Sequence, residues 1–315
     1  MDRRQTVLWI ALTPLASSHA GPLSDAQRIA MARDLNDNYY GQPGHLARAA
    51  ELLQPVMLKK VVPAAAYMEA SFLTYQGGHI VSEKFAPGTL ELSEYLVDRA
   101  LALEPSNVRA ISMKTMLLLK ARRSEEFVAT ANRGLKLDPN DLWLNLQMAD
   151  YYRERKQTQQ ALKIWDAFYD RGPGRDSEQK RAFCYATLKL LDVWGAPNNG
   201  GRMREFAARA DAARHPDDAW TLGEISRQFT FATLFDDAIA YGKKSLAVMN
   251  YGIGRLQLAV AWYGKAAQRA QLLRSYDDEL REARAVGVDP RAVRDWYVHS
   301  TPYLQLLLPT LDKML

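Results

Sequence analysis

The stretch Leu142–Gly174, LWLNLQMADYYRERKQTQQALKIWDAFYDRGPG, decides the fold. Met148, Ala149 and Tyr152 mark one helical face, and Ala161 and Trp165 mark a second, with Pro173 ending the segment. Small residues at 149 and 161 let two helices approach closely, while Tyr152 and Trp165 fill the space beside them. Pro105, Pro139 and Pro173 stand 34 residues apart, so this helix pair belongs to a series. The ending Ala100-Leu-Ala-Leu-Glu-Pro105 recurs as Gly134-Leu-Lys-Leu-Asp-Pro139, a leucine alternation closed by a helix-stopping proline. Before the first of these, Tyr95, Leu96, Ala100, Leu101 and Leu103 form one apolar stripe, and Ser124 is placed to cap a helix over 125–137.

These spacings resemble the tetratricopeptide repeat, whose pattern runs W-x2-L-G-x2-Y, then A-x3-F, then P over about 34 residues. Met148-Ala149 takes the Leu-Gly pair, Tyr152 the tyrosine, Ala161 and Trp165 the A-x3-F pair, and Pro173 the closing proline. Asn145 stands where the first aromatic is expected, with Trp143 two residues earlier. The resemblance spans about 91–290 and implies an all-α chain, a right-handed solenoid of helical hairpins. It also implies that the first helix of each hairpin lines a concave groove that holds a protein or extended peptide. Counting along those helices gives Arg109, Ser112, Met116 and Lys120, then Trp143, Leu146, Asp150 and Arg153, then Trp220, Arg227 and Phe231 as groove-facing. The Lys and Asn carboxylate clamp of some relatives is missing, which argues against recognition of a C-terminal carboxylate.

Later units are looser. Leu222, Ile225, Phe229 and Ala238 keep the pattern in 219–250, and Gly242 replaces the second aromatic. Pro173 to Pro216 is 43 residues, the surplus matching a Gly195–Gly201 insertion, and Asn250 to Pro290 is 40, with an interruption expected after Lys265. Leu256, Val260 and Tyr263 belong to that last unit. Segments 23–57 and 63–75 read as helices, 77–88 as a polar loop in a degenerate early repeat, and no sheet is expected. The expected organisation is a signal peptide (1–20), an N-terminal helical region (21–88), the repeat array (89–290) and C-terminal capping helices (291–315).

Arg3 and Arg4 precede an apolar run from Thr6 to Ala16, followed by small residues at Ser18 and Ala20: a charged, then apolar, then cleavable leader. Eleven residues of helix reach only ~16 Å, short of a ~30 Å bilayer core. The expectation is export to the periplasm or beyond, with cleavage after Ala20 and no transmembrane segment in the mature chain. Cys184 is the only cysteine of the 315 residues, so no internal disulfide forms, and its apolar neighbours mark it as a small buried hydrophobe.

The net charge of +5 is scattered, without the clustered basic motif of a nucleic-acid binder. Ser177-Glu-Gln-Lys180 matches the S-x-x-K nucleophile pattern, but its companion S-D-N and K-T-G elements are missing, and Asp176 or Ser177 reads as a helix cap. The five histidines are far apart, Gly242-Lys-Lys-Ser245 lacks the upstream glycine of a phosphate loop, and Asp217-Asp218 and Asp277-Asp278 sit at helix starts. No cofactor, metal or catalytic set is expected. The leading expectation is an exported protein-binding scaffold. Its rivals are a glycan or small-ligand module using the seven Trp and fifteen Tyr, and an enzyme with a site on the two inserted loops.

Overall fold

A computed structural model describes residues 23–42, 44–81 and 84–315, with the side chains of Ile80 and Val81 left aside. The leader and its cleavage site lie outside the described residues. The chain divides into two compact units, 1–164 and 165–315, the division falling inside one helix. Among the described residues the fold is all-α apart from one small strand pair, and it is built from helical hairpins.

The N-terminal unit holds α1 (Asp25–Asp37) with α2 (His45–Met57), α3 (Ala64–Gly78) with α4 (Thr89–Leu103), and α5 (Val108–Lys120) with α6 (Ser124–Leu137). It continues with α7 (Leu142–Glu154) and α8 (Thr158–Arg171), within which the division falls. First helices also touch first helices, α1 on α3, α3 on α5 and α5 on α7. Apolar side chains fill the layers in sequence order: Leu52, Leu53 and Leu96, then Met68, Val97, Met113 and Leu117, then Leu118, Phe127 and Met148.

The C-terminal unit pairs α9 (Ser177–Trp194) with α10 (Gly200–Ala213), α11 (Ala219–Phe231) with α12 (Phe235–Val248), and α13 (Gly252–Gln271) with α14 (Asp277–Ala285). Three short helices, α15 (Pro290–Val298), α16 (Pro302–Gln305) and α17 (Leu308–Leu311), close it. Phe235, Val260, Tyr263, Val293, Tyr297, Leu304 and Leu311 form its C-terminal core, where Tyr297 donates to the Val260 carbonyl at 2.8 Å. Gly264 makes room for this, because a Cβ there would lie 2.2 Å from Phe235 and 2.3 Å from the Tyr297 hydroxyl.

The proline beat now has a local cause. Each proline precedes an Asn or Asp that caps the next first helix: Asn107 accepts from the Ala110 amide at 3.1 Å, Asp141 from Leu144 at 2.8 Å, Asp176 from Gln179 at 2.7 Å and Asp218 from Thr221 at 2.9 Å. The other end of the first helix repeats as well. Arg122, Lys156, Thr233 and Leu273 all take left-handed φ, between 54° and 61°. The amide after each bonds five residues back, Arg123 to Leu118, Gln157 to Tyr152, Leu234 to Phe229 and Arg274 to Arg269, at 2.8–3.0 Å. That is the Schellman turn, and it reverses the chain into the second helix four times without a glycine.

Several expectations need correction. The 77–88 segment is not a plain loop: α3 runs through Gly78, and His79–Val81 (β1) pairs antiparallel with Lys84–Phe85 (β2). His79 and Tyr75 both lie against the Phe85 ring, at 5.3 and 5.0 Å, an aromatic cluster that holds the two strands together. Ser124 is the first residue of α6 and not its cap; Arg123 holds that place with no side-chain cap bond. The six extra residues of the last unit do not interrupt it after Lys265 but lengthen α13 to 20 residues. Of the Gly195–Gly201 insertion, Pro197–Asn199 forms one 3-10 turn and α9 itself reaches 18 residues. Gly242 replaces an aromatic because a Cβ there would already stand 3.1 Å from Leu258 and from Ser226 Oγ.

Candidate functional site

Residues spaced i, i+4, i+7 and i+11 recur within about 60° on a helix and so form one row. On α11 that row is Trp220, Glu224, Arg227 and Phe231. Nearly every other α11 side chain is buried, while Trp220 is 49% exposed. Arg227 Nε donates to Glu224 Oε2 at 2.9 Å, and the guanidinium lies 5.0 Å from the Phe231 ring centre. Phe231 in turn stacks on Trp296 of α15 at 5.2 Å and 19°. The row is therefore a cation between one carboxylate and one aromatic ring, with an open indole at one end and a stacked pair at the other. Trp296 and Glu224 were not among the residues expected there. Glu224 follows from the i+4 position of Trp220, whereas the return of α15 to this face leaves no local mark in the sequence.

The N-terminal unit carries the same row on α5 and α7. Met116 is half-buried, leaning on the Met68, Val97 and Met113 layer, and Lys120 is half-buried one turn further on. On α7, Trp143 and Asp150 are half-buried and Arg153 is exposed. Ser112 and Leu146, 34 residues apart, are both buried. They share one register position, and from it Ser112 faces α7. Gln147 bridges α5 and α7: its amide donates to the Ser112 carbonyl at 3.2 Å, and Thr115 donates to its carbonyl.

Arg109 heads the α5 row but is held inward. Its Nε donates to Glu69 Oε1 at 3.1 Å, and a terminal nitrogen donates to Asp37 Oδ1 at 2.8 Å. Glu69 is only 2% exposed and also accepts from the Asn36 amide at 3.0 Å. Burial works against the Arg109 charge, yet Glu69 and Asp37 outweigh it and raise its pKa. This cluster ties α1, α3 and α5 together through polar groups.

Among the described residues no three His, Cys, Asp or Glu side chains are grouped to hold a metal ion, and no helix is long and apolar enough to cross a membrane. Cys184 is buried, its Sγ 3.5 Å from the Ala210 carbonyl, and burial pushes its thiol up to about 12, so it is protonated and inert at neutral pH. The Asp176 cap accounts for the Ser177–Lys180 segment as a helix start. What the face offers is stacking surface and charge.

No protein-family model matches the chain, and no curated protein matches it in sequence. Solved structures similar to it include a tetratricopeptide repeat protein from Parabacteroides merdae, at 14% identity over 91% of this chain and 98% of that one, with a TM-score of 0.44. An IFIT1 monomeric mutant with Gppp-AAAA is similar at 12% identity over 86% of this chain and 65% of that one, with a TM-score of 0.49. The tetratricopeptide-like reading of the fold rests on this chain's own hairpins, caps and turns.

Proposed function

We propose that the chain is an exported scaffold that binds another protein, or an extended segment of one, through the exposed faces of its first helices. The observation that carries this is α11, which buries its other faces and leaves one row holding an exposed indole, a guanidinium and a phenyl ring. Trp and Arg in such a setting are the residue types that dominate binding energy at protein interfaces. The ordered array presents them on rigid helices, so little conformational entropy is lost on association. Nothing in the row forms a nucleophile with a base, and the reading assigns no catalysis. Export rests on the leader pattern at residues 3–20.

Affinity capture from envelope extract with the mature chain tests the binding. A protein recovered by the native chain and weakened by Trp220→Ala with Arg227→Ala supports the reading; equal recovery by both chains defeats it. N-terminal sequencing of the exported protein is expected to begin at Gly21. An intact Met1 in the soluble fraction would defeat the cleaved leader.

A further inference from the structure

The C-terminal unit has a concave feature built largely from second helices. A cleft of about 290 Å³ lies between α12 and α14 above α13. Its apolar lining includes Leu246, Leu258 and Trp262, and its charged lining is Lys243, Arg255 and Glu282. Trp262 is half-buried, and the Lys243 ammonium sits 5.1 Å from its ring centre. Lys265 lies 5.6 Å from the same ring but is already neutralised, by Asp236 at 2.9 Å and Glu279 at 3.6 Å. Lys243 and Arg255 make no ion pair among the described residues, so two cations face one carboxylate and the cleft is net positive.

Binding clefts for small molecules are mostly apolar with a few convergent polar groups, and a cation held beside a low-dielectric wall attracts an anion more strongly than one in open water. The indole supplies a flat surface for a ring or chain, and Lys243 and Arg255 supply donors for a carboxylate. Glu282 on the α14 side disfavours a second negative charge. A volume of about 290 Å³ accommodates one compact apolar group and its head.

We propose that this cleft binds a small organic acid, one carboxylate on an apolar body, with Trp262 against the body and Lys243 and Arg255 on the carboxylate. The site shares no residue with the Trp220–Phe231 row, so the two stand or fall separately.

The test follows the Trp262 indole N–H signal by NMR, assigned by its loss in Trp262→Phe, while octanoate or octanol is added to the mature chain. Octanoate is expected to shift that signal saturably and to bind about tenfold more tightly than octanol, the scale of a charge-assisted contact. Lys243→Met with Arg255→Met, both at exposed positions, is expected to remove that tenfold preference while leaving the thermal melt in place. Equal affinities for the acid and the alcohol, an indole signal unmoved by octanoate, or a preference that survives the double substitution would each overturn the proposal.

Discussion

Replacing Arg109 with Met separates a structural from a binding role for that residue. The substitution keeps the length of the aliphatic stem but removes the donors to Glu69 and Asp37. Glu69 is then left buried with the Asn36 side-chain amide still donating to its carboxylate. Stranding one member of a buried ion pair costs about 3–5 kcal/mol, and since Arg109 keeps some water contact the lower end, about 3 kcal/mol, applies. Hydrogen exchange of the α3 segment 64–78 reads this directly, because the polar cluster ties that helix to α1 and α5. A loss of about 3 kcal/mol corresponds to exchange faster by roughly a hundredfold. Adding Glu69→Gln should recover part of the loss, because an amide can donate to Asn36 Oδ1, which is buried without a partner. Unchanged exchange in Arg109→Met would refute the structural role. Loss of partner binding with stability intact would assign Arg109 a binding role.

Three further outcomes follow from local geometry. Thr233 holds left-handed φ at 57°; Thr233→Gly should stabilise by about 0.5–1 kcal/mol, the relief of a strained β-branched residue less the entropy glycine adds to the unfolded chain, and a lowered Tm would contradict this. Gly264→Ala should destabilise by about 1–3 kcal/mol, because the added methyl meets Phe235 and Tyr297; a native-like melt would show that the C-terminal core is looser than described. The third concerns pH. Burial opposes ionisation of Glu94, but bonds from Lys114 and Arg123, each at 2.6 Å, outweigh it and hold its pKa below the usual carboxylate range. A depressed folded pKa adds stability above the unfolded value of about 4.3 and loses it as pH falls through the folded one. Urea melts should therefore show native and Glu94→Gln chains far apart at neutral pH and converging in acid, and a constant gap would argue against the pair.

Much of the fold was legible because its signals are local and repeated. Prolines two or three residues ahead of Asn107, Asp141, Asp176 and Asp218 mark the start of four first helices, α5, α7, α9 and α11, and the caps give the reason the interval persists. The burial of Ala149, Ala161 and Trp165 follows from the same frame. Other features depend on contacts distant in sequence. Leu146 and Gln147 are neighbours in sequence, and nothing local shows that Leu146 is buried while Gln147 bonds across to α5. Arg109 looks like any surface cation until Glu69, 40 residues earlier, is placed beneath it. Trp296 joins the α11 row because α15 folds back on it, which no periodicity announces. The strand pair at 79–85 is too short for an alternating pattern to register, and the lengthening of α13 looks in sequence like a break in the repeat.

The central claim is that partners are held on the first-helix row. A photo-crosslinking side chain placed at position 220 on α11, and separately at exposed position 240 on α12, tests it on the intact chain in envelope extract. The account predicts a crosslinked protein from position 220 that disappears with Arg227→Glu, and none from position 240. Crosslinks of equal yield from 240, or none from 220 while a partner is still captured, would contradict it.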